Sequence, residues 1–161
     1  MTEQGPKTLQ TLLMTPVGLV NDRPPARATR DTALGEVVQR MVAARRGVTL
    51  IEAEGKLLGI FTEFDLHSRV DHTNDEWRQR PVHEFMTTEP FTVRPEQPIA
   101  AALGVMHAGG FRHLPIVNAA GEERGVLSVR DILVFLAEGF PEAFLNLPPD
   151  PKNESHRRYG G

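Results

Sequence analysis

The chain has 161 residues, 40% of them hydrophobic and 24% charged, enough for one domain with its own core. A formal net charge of −3 offers no basic surface for general nucleic-acid binding, and the absence of cysteine excludes disulfides, thiolate metal sites and cysteine nucleophiles. The first residues, MTEQGPKTLQTLLM, hold no apolar core of a signal peptide, and no run of about eighteen apolar residues occurs, so a soluble cytoplasmic protein without a membrane segment is expected.

In chain order, an extended piece is expected at Val17–Val20, followed by a Pro- and Arg-rich loop, NDRPPARATR. Leu34, Val37, Val38, Met41 and Val42 recur at helical spacing and predict an amphipathic helix. VTLIE and LLGIF then read as two strands around a turn at Gly55, and a second helix starts at Thr62. The polar stretch VDHTNDEWRQR reads as a connection, in which Trp77 is expected to be a packing anchor.

The same order then returns. A second extended piece lies at Phe91–Val93, and Ile99, Ala102, Leu103 and Met106 mark a helix. LPIVN and GVLS form strands around Gly121, and the final helix starts at Ser128. A shift of 66 positions lays Gly59, Thr62 and Asp65 on Gly125, Ser128 and Asp131, and lays Gly47–Ile51 on His113–Val117. Met14-Thr15 pairs with Met86-Thr87. Met14 to Gly59 spans 45 positions and Met86 to Gly125 spans 39, which places six extra residues in the first copy, assigned to NDRPPARATR.

The fold class is therefore mixed α/β (α+β), with two β-α-β-β-α repeats packed with pseudo-twofold symmetry into one module. The boundaries read as 8–70 for the first repeat, 71–80 for a linker, 81–138 for the second repeat and 139–161 for a largely disordered tail with an apolar start at Phe140 and Phe144. DILVFLAEGF is apolar on nearly every side, so its outer face calls for a partner surface and a homodimer is expected.

The ordered set of Met-Thr, RHLPIV (112–117) and GVLSVRD (125–131), matched in the first copy by Met14-Thr15, VTLIE and GIFTEFD (59–65), resembles a tandem pair of CBS domains, a Bateman module. The resemblance covers roughly residues 8–138 and implies a non-catalytic receptor for adenosine-containing ligands: AMP, ADP, ATP or S-adenosylmethionine. It also implies phosphate contacts at Arg112 and His113. With only residues 139–161 beyond the second repeat, regulation of a separate partner protein in trans is expected.

The residues support this chemistry independently. Thr62 and Ser128 stand where a strand becomes a helix, so their hydroxyls and the first helical N–H groups favour an anion. Asp65 and Asp131, one turn on, offer two acceptor oxygens to the vicinal hydroxyls of a ribose. Gly59 and Gly125 permit close approach, and the extended pieces together with the strands holding Leu50, Ile51, Pro115, Ile116 and Val117 are candidate walls for an adenine ring. Arg130 is a weaker phosphate candidate. In isolation each S/T-x-x-D is a helix cap; repetition inside the whole ordered pattern favours binding. The two sites differ, because the shift sets Arg46-Gly47 against Arg112-His113 and Thr49 against Pro115. The site at Ser128 and Asp131 is expected to be the stronger, with Thr62, Asp65 and Arg46 forming a lesser one.

His67 and His72 belong to no ligand set, so no metal and no cofactor is expected. No Ser-His-acid arrangement and no Walker lysine points to an enzyme. Asn153-Glu154-Ser155 matches a glycosylation acceptor, which carries little meaning without a secretion signal. Two alternatives stand beside the sensor reading: a ligand-independent dimerisation or scaffold protein with vestigial pockets, and, more distantly, an enzyme with a site assembled between chains.

Overall fold

Each repeat is organised around a hairpin whose inner face is apolar, with Ile51 and Phe61 in the first and Leu114, Ile116 and Leu127 in the second, and whose following residue starts a helix. The computed structural model describes residues 8–20 and 23–140, so most of the tail lies outside the described residues. The elements are α1 (Leu9–Leu13), β1 (Ala26–Ala28), α2 (Leu34–Ala44), β2 (Val48–Ala53), β3 (Lys56–Thr62), α3 (Glu63–Arg69), β4 (Thr87–Thr88), α4 (Ile99–Gly109), β5 (His113–Val117), β6 (Glu123–Ser128) and α5 (Val129–Gly139). One sheet has the order β1-β2-β3-β4, with β1 parallel to β2; β5 and β6 form the other, and Val93 bridges to Ile116 in parallel. The first repeat has the order β-α-β-β-α, and the second has it with the isolated bridge at Val93 in place of its first strand.

Two expectations need correction. Val17–Leu19 is a turn of 3-10 helix, and the first strand lies instead at Ala26–Ala28, inside the segment read as a loop. Ala28 pairs with Ile51 as Val93 pairs with Ile116. The repeats are also not related by one constant shift. Val48 opposes Thr62, and His113 opposes Ser128, so Val48 corresponds to His113 and Gly47 to Arg112. The β2-to-β5 offset is therefore one less than the offset from β3 onward.

The cause is the turn. In the first hairpin Ala53 pairs with Lys56 across Glu54 and Gly55, both at positive φ (51° and 76°). In the second, Val117 pairs with Glu123 around a turn one residue longer, held by Asn118 Oδ1 accepting from the N–H groups of Ala120 and Glu122. A one-residue slip exchanges the two faces of a strand, so the register matters. The structural register puts Ile51 with Ile116 and Phe61 with Leu127, both pairs buried inside their own repeat.

The cores are closed by exchange. Val17 and Val20 open the first repeat, ahead of its strands, but are buried in the core of the second, beside Ile99, Ile116 and Leu127. Val82 and Phe85 open the second repeat but complete the core of the first, with Leu34, Val37 and Phe61. Backbone pairing fixes this arrangement: Val17 N–H donates to Gln97 and Ile99 N–H to Thr15, while Val82 N–H donates to Thr32 and Leu34 N–H to Arg80. Trp77 is buried in the first core, with the Arg78 guanidinium 4.5 Å from its ring centre. Between the repeats, Val48, Leu50, Ile60 and Val126 form a separate apolar seam. At its edge Arg27 Nε donates to Glu123 at 2.9 Å.

Gly59 takes the close-approach role expected of it. A Cβ there would lie 2.8 Å from Met86 Sδ and from Thr87 O, because β4 runs directly alongside. The exchange generates a test. Val82→Ala should cost about 2 kcal/mol, and in hydrogen exchange the amides of β2 and β3 should lose more protection than those of β5 and β6, although Val82 lies in the second copy of the sequence.

Candidate functional site

Thr62 and Ser128 cap α3 and α5 in the same way. Asp65 Oδ2 accepts from Thr62 N–H at 2.9 Å and from its hydroxyl at 2.8 Å. Asp131 Oδ2 accepts from Ser128 N–H at 2.9 Å and from its hydroxyl at 2.6 Å. In return each hydroxyl accepts from the aspartate N–H, completing a reciprocal capping box. Capping thus accounts for one carboxylate oxygen in each repeat. The other oxygen distinguishes them.

Asp131 is sealed. Arg46, from the other repeat, donates through Nη1 to Oδ1 at 2.9 Å and through Nη2 to Oδ2 at 3.2 Å, and Nη2 also reaches Val126 O at 3.3 Å. The side chains are 4% and 5% exposed. Burial pushes the Asp131 carboxyl up, but the bonds from Arg46 and Ser128 outweigh it and hold the group below the usual carboxylate range. Asp65 Oδ1 meets only Arg69 Nε, at 3.2 Å, on a side chain that is 47% exposed.

The corrected register explains the difference. Arg46 N–H donates to Met41 O after α2 as Phe111 N–H donates to Met106 O after α4, so Arg46 is the counterpart of Phe111 and not of Arg112. One repeat therefore presents a guanidinium to the opposite aspartate, and the other presents a phenyl ring.

Two cavities follow, abutting along Glu63, Arg112 and His113. The larger, about 680 Å3, has Thr62 and Asp65 on one side. Its apolar walls are Ile60, Pro90, Phe91, Phe111 and Leu114, with the Phe91 and Phe111 rings 5.3 Å apart and tilted by 33°. Gly109 leaves room for this: a Cβ there would fall 1.9 Å from the Phe111 ring. The smaller cavity, about 550 Å3, has an apolar side of Val38, Met41, Val42, Leu66 and Val129 and a polar side of Ser128 and five arginines, Arg23, Arg45, Arg46, Arg112 and Arg130.

Of the walls expected from sequence, the second extended piece supplies Phe91, and the strand residues need replacing. Leu50, Ile51 and Ile116 are consumed by the seam and the cores, and Pro115 is buried opposite Val126 and lines neither cavity. Phe111, Glu63 and Arg23 were missed; an aromatic next to a Gly-Gly helix end was the available signal for Phe111. Glu63 folds over Gly47, where a Cβ would lie 2.7 Å from its carboxylate carbon. Burial lowers the His113 imidazole, assisted by the Arg46 and Arg112 charges and opposed by Glu63 and Asp131. Among the described residues no group of three His, Asp or Glu side chains is placed to hold a metal, and no helix is long and apolar enough to cross a membrane.

The sequence profile of the CBS domain matches residues 17–72 and 82–138. The chain belongs to the CBS-domain family. Its two repeats form the CBS pair, or Bateman module. A CBS domain-containing protein of Arabidopsis thaliana is 33% identical over 99 residues, 62% of this chain and 18% of that protein, so the chain spans less than a fifth of this curated relative. A CBS domain protein from Pyrobaculum aerophilum, solved in complex with AMP, is 26% identical with a TM-score of 0.64, covering 76% of this chain and 98% of that one. The CBS pair of protein MJ0100, solved with 5′-methylthioadenosine and S-adenosyl-L-methionine, is 21% identical with a TM-score of 0.67 over 76% of this chain and 99% of that one, a likeness of fold.

Arg46→Ala should destabilise the protein by roughly 3–5 kcal/mol in denaturant titration, because it strands a buried carboxylate; replacing both partners with Arg46→Met and Asp131→Asn, which keeps an oxygen for the Ser128 cap, should recover part of that loss. A second expectation concerns pH. The folded His113 titrates below the ordinary imidazole value of 6.5, so below that pH the unfolded chain binds the extra proton. Stability should therefore fall as pH drops from 7 towards 5, and His113→Asn should flatten that slope in denaturant titrations across the range.

Proposed function

We propose that this CBS pair is a regulatory sensor that binds an adenosine-containing ligand in the cleft at Thr62 and Asp65 and signals to a partner protein in trans. The carrying observation is the contrast between the two aspartates. Asp65 lines a roomy cavity with apolar and aromatic walls, and among the described residues the only guanidinium on its Oδ1, that of Arg69, is half-exposed. Asp131 has both oxygens filled by Arg46 and Ser128. This ranks the sites opposite to the order suggested by the sequence. The AMP complex of the Pyrobaculum relative supports the ligand class.

In this reading the ribose hydroxyls displace Arg69 from Asp65, and the adenine lies against the Phe91 and Phe111 side of the cleft. Thr62, Arg112 and His113 face the phosphate. Because the walls come from both repeats, occupancy favours one relative packing of the pair, and a partner that distinguishes the packings responds. Exposed Leu133 and Val134 on α5, 54% and 47% accessible, supply an apolar face for a second copy, so the sensor acts as a homodimer. Binding occurs without turnover.

Thermal melting with AMP, ADP, ATP, S-adenosylmethionine and NAD tests the reading. A ligand at about one hundred times its Kd should stabilise by roughly 2.7 kcal/mol. Asp65→Asn, which can keep the capping oxygen while replacing the other by a donor, should remove most of the shift, and Asp131→Asn should retain it. Loss confined to Asp131→Asn would move the site to the other cleft. A panel with no shift would favour the scaffold reading, and nucleotide breakdown in the same mixtures would favour an enzyme.

A further inference from the structure

The smaller cavity has its own chemistry. Among the described residues, five arginines have no carboxylate within salt-bridge distance, and four of them, Arg23, Arg45, Arg112 and Arg130, line this one cavity; the fifth is Arg94. Arg46 is the fifth guanidinium of the lining, and its buried Nε has no hydrogen-bond partner. Among the described residues Glu63 in the lining and Asp131 behind Arg46 stand against these five charges, which leaves an excess of three positive charges. A chain with net charge −3 thus gathers unpaired guanidinium groups around about 550 Å3.

We infer that this cavity is a polyphosphate site, selective for linked phosphate groups. Several guanidinium forks around one cavity match an anion with many oxygens and more than one negative charge. Asp131 offers a ribose no free oxygen, because Arg46 and Ser128 occupy both. The charges line a concavity between the repeats, not a flat or helical stripe, which fits a small anion and not a nucleic-acid duplex. The phosphates have two possible sources. They belong to a free polyphosphate, or to the tail of a nucleotide seated at Asp65, since Arg112 and His113 border both cavities. The site itself stands independently of whether adenosine binds at Asp65.

The probe is inorganic tripolyphosphate, titrated calorimetrically into the full chain at constant ionic strength. One equivalent should bind. The double variant Arg45→Gln with Arg130→Gln, two exposed side chains outside the Asp65 cavity, should weaken binding by about tenfold or more, while Arg94→Gln should not change it. Asp65→Asn should leave tripolyphosphate binding intact, which separates this test from that of the adenosine site. If ATP exceeds AMP in affinity by the factor that the double variant removes, the phosphates are a nucleotide tail. If tripolyphosphate binds equally well to the AMP-saturated protein, they are a separate anion. Absence of tripolyphosphate binding, or an equal loss in Arg94→Gln, would overturn the proposal.

Discussion

At the meeting point of the two repeats a guanidinium and a carboxylate have been taken out of water together. Arg46 and Asp131 are a bidentate pair with almost no exposure, and the low dielectric around them makes either charge costly without the other. The difference between the two halves follows from this contact. A carboxylate that one repeat leaves at the wall of a cavity is, in the other, consumed in tying the halves to each other. The Ser128 cap, the Val126 carbonyl and the lowered Asp131 pKa all belong to the same locked arrangement.

A duplicated unit need not carry duplicated chemistry. At equivalent places after α2 and α4 stand Arg46 and Phe111, and the two clefts have diverged accordingly. The Phe111 side is apolar and aromatic around Asp65; the Arg46 side is cationic. Gly109 and Gly110 allow the phenyl ring to fold back over the helix end, whereas Arg45 holds the matching left-handed position with φ of 50°. That conformation is disfavoured for a side-chain-bearing residue, yet it leads directly into the arginine that crosses to the other half.

The repeat, the order of its elements and the two capped junctions were legible because Thr62-x-x-Asp65 and Ser128-x-x-Asp131 follow strands with recognisable apolar patterns. The register of β2 against β5 was not. One extra residue in the second turn is masked by seven extra residues between Met14 and Ala28, so the net length difference of six points to a single loop. An ungapped comparison then sets Arg46 against Arg112, when its place in the fold is that of Phe111. The pairing of Arg46 with Asp131 was equally out of reach: the residues lie 85 apart, and their contact depends on how the repeats face each other. The short strand at Ala26–Ala28 escaped for a local reason. Three residues beside two prolines carry too little alternation to read.

The lead-in segments cross over: the opening stretch of the first half is the wedge of the second, and the opening stretch of the second half is the wedge of the first. Severing the chain at the polar connection would therefore not free two autonomous bodies, because each fragment would carry off the piece that seals its sibling. Drift in either copy is judged by the fit of its counterpart. The natural unit of inheritance here is the couple, held together by an interlacing that precedes any ligand.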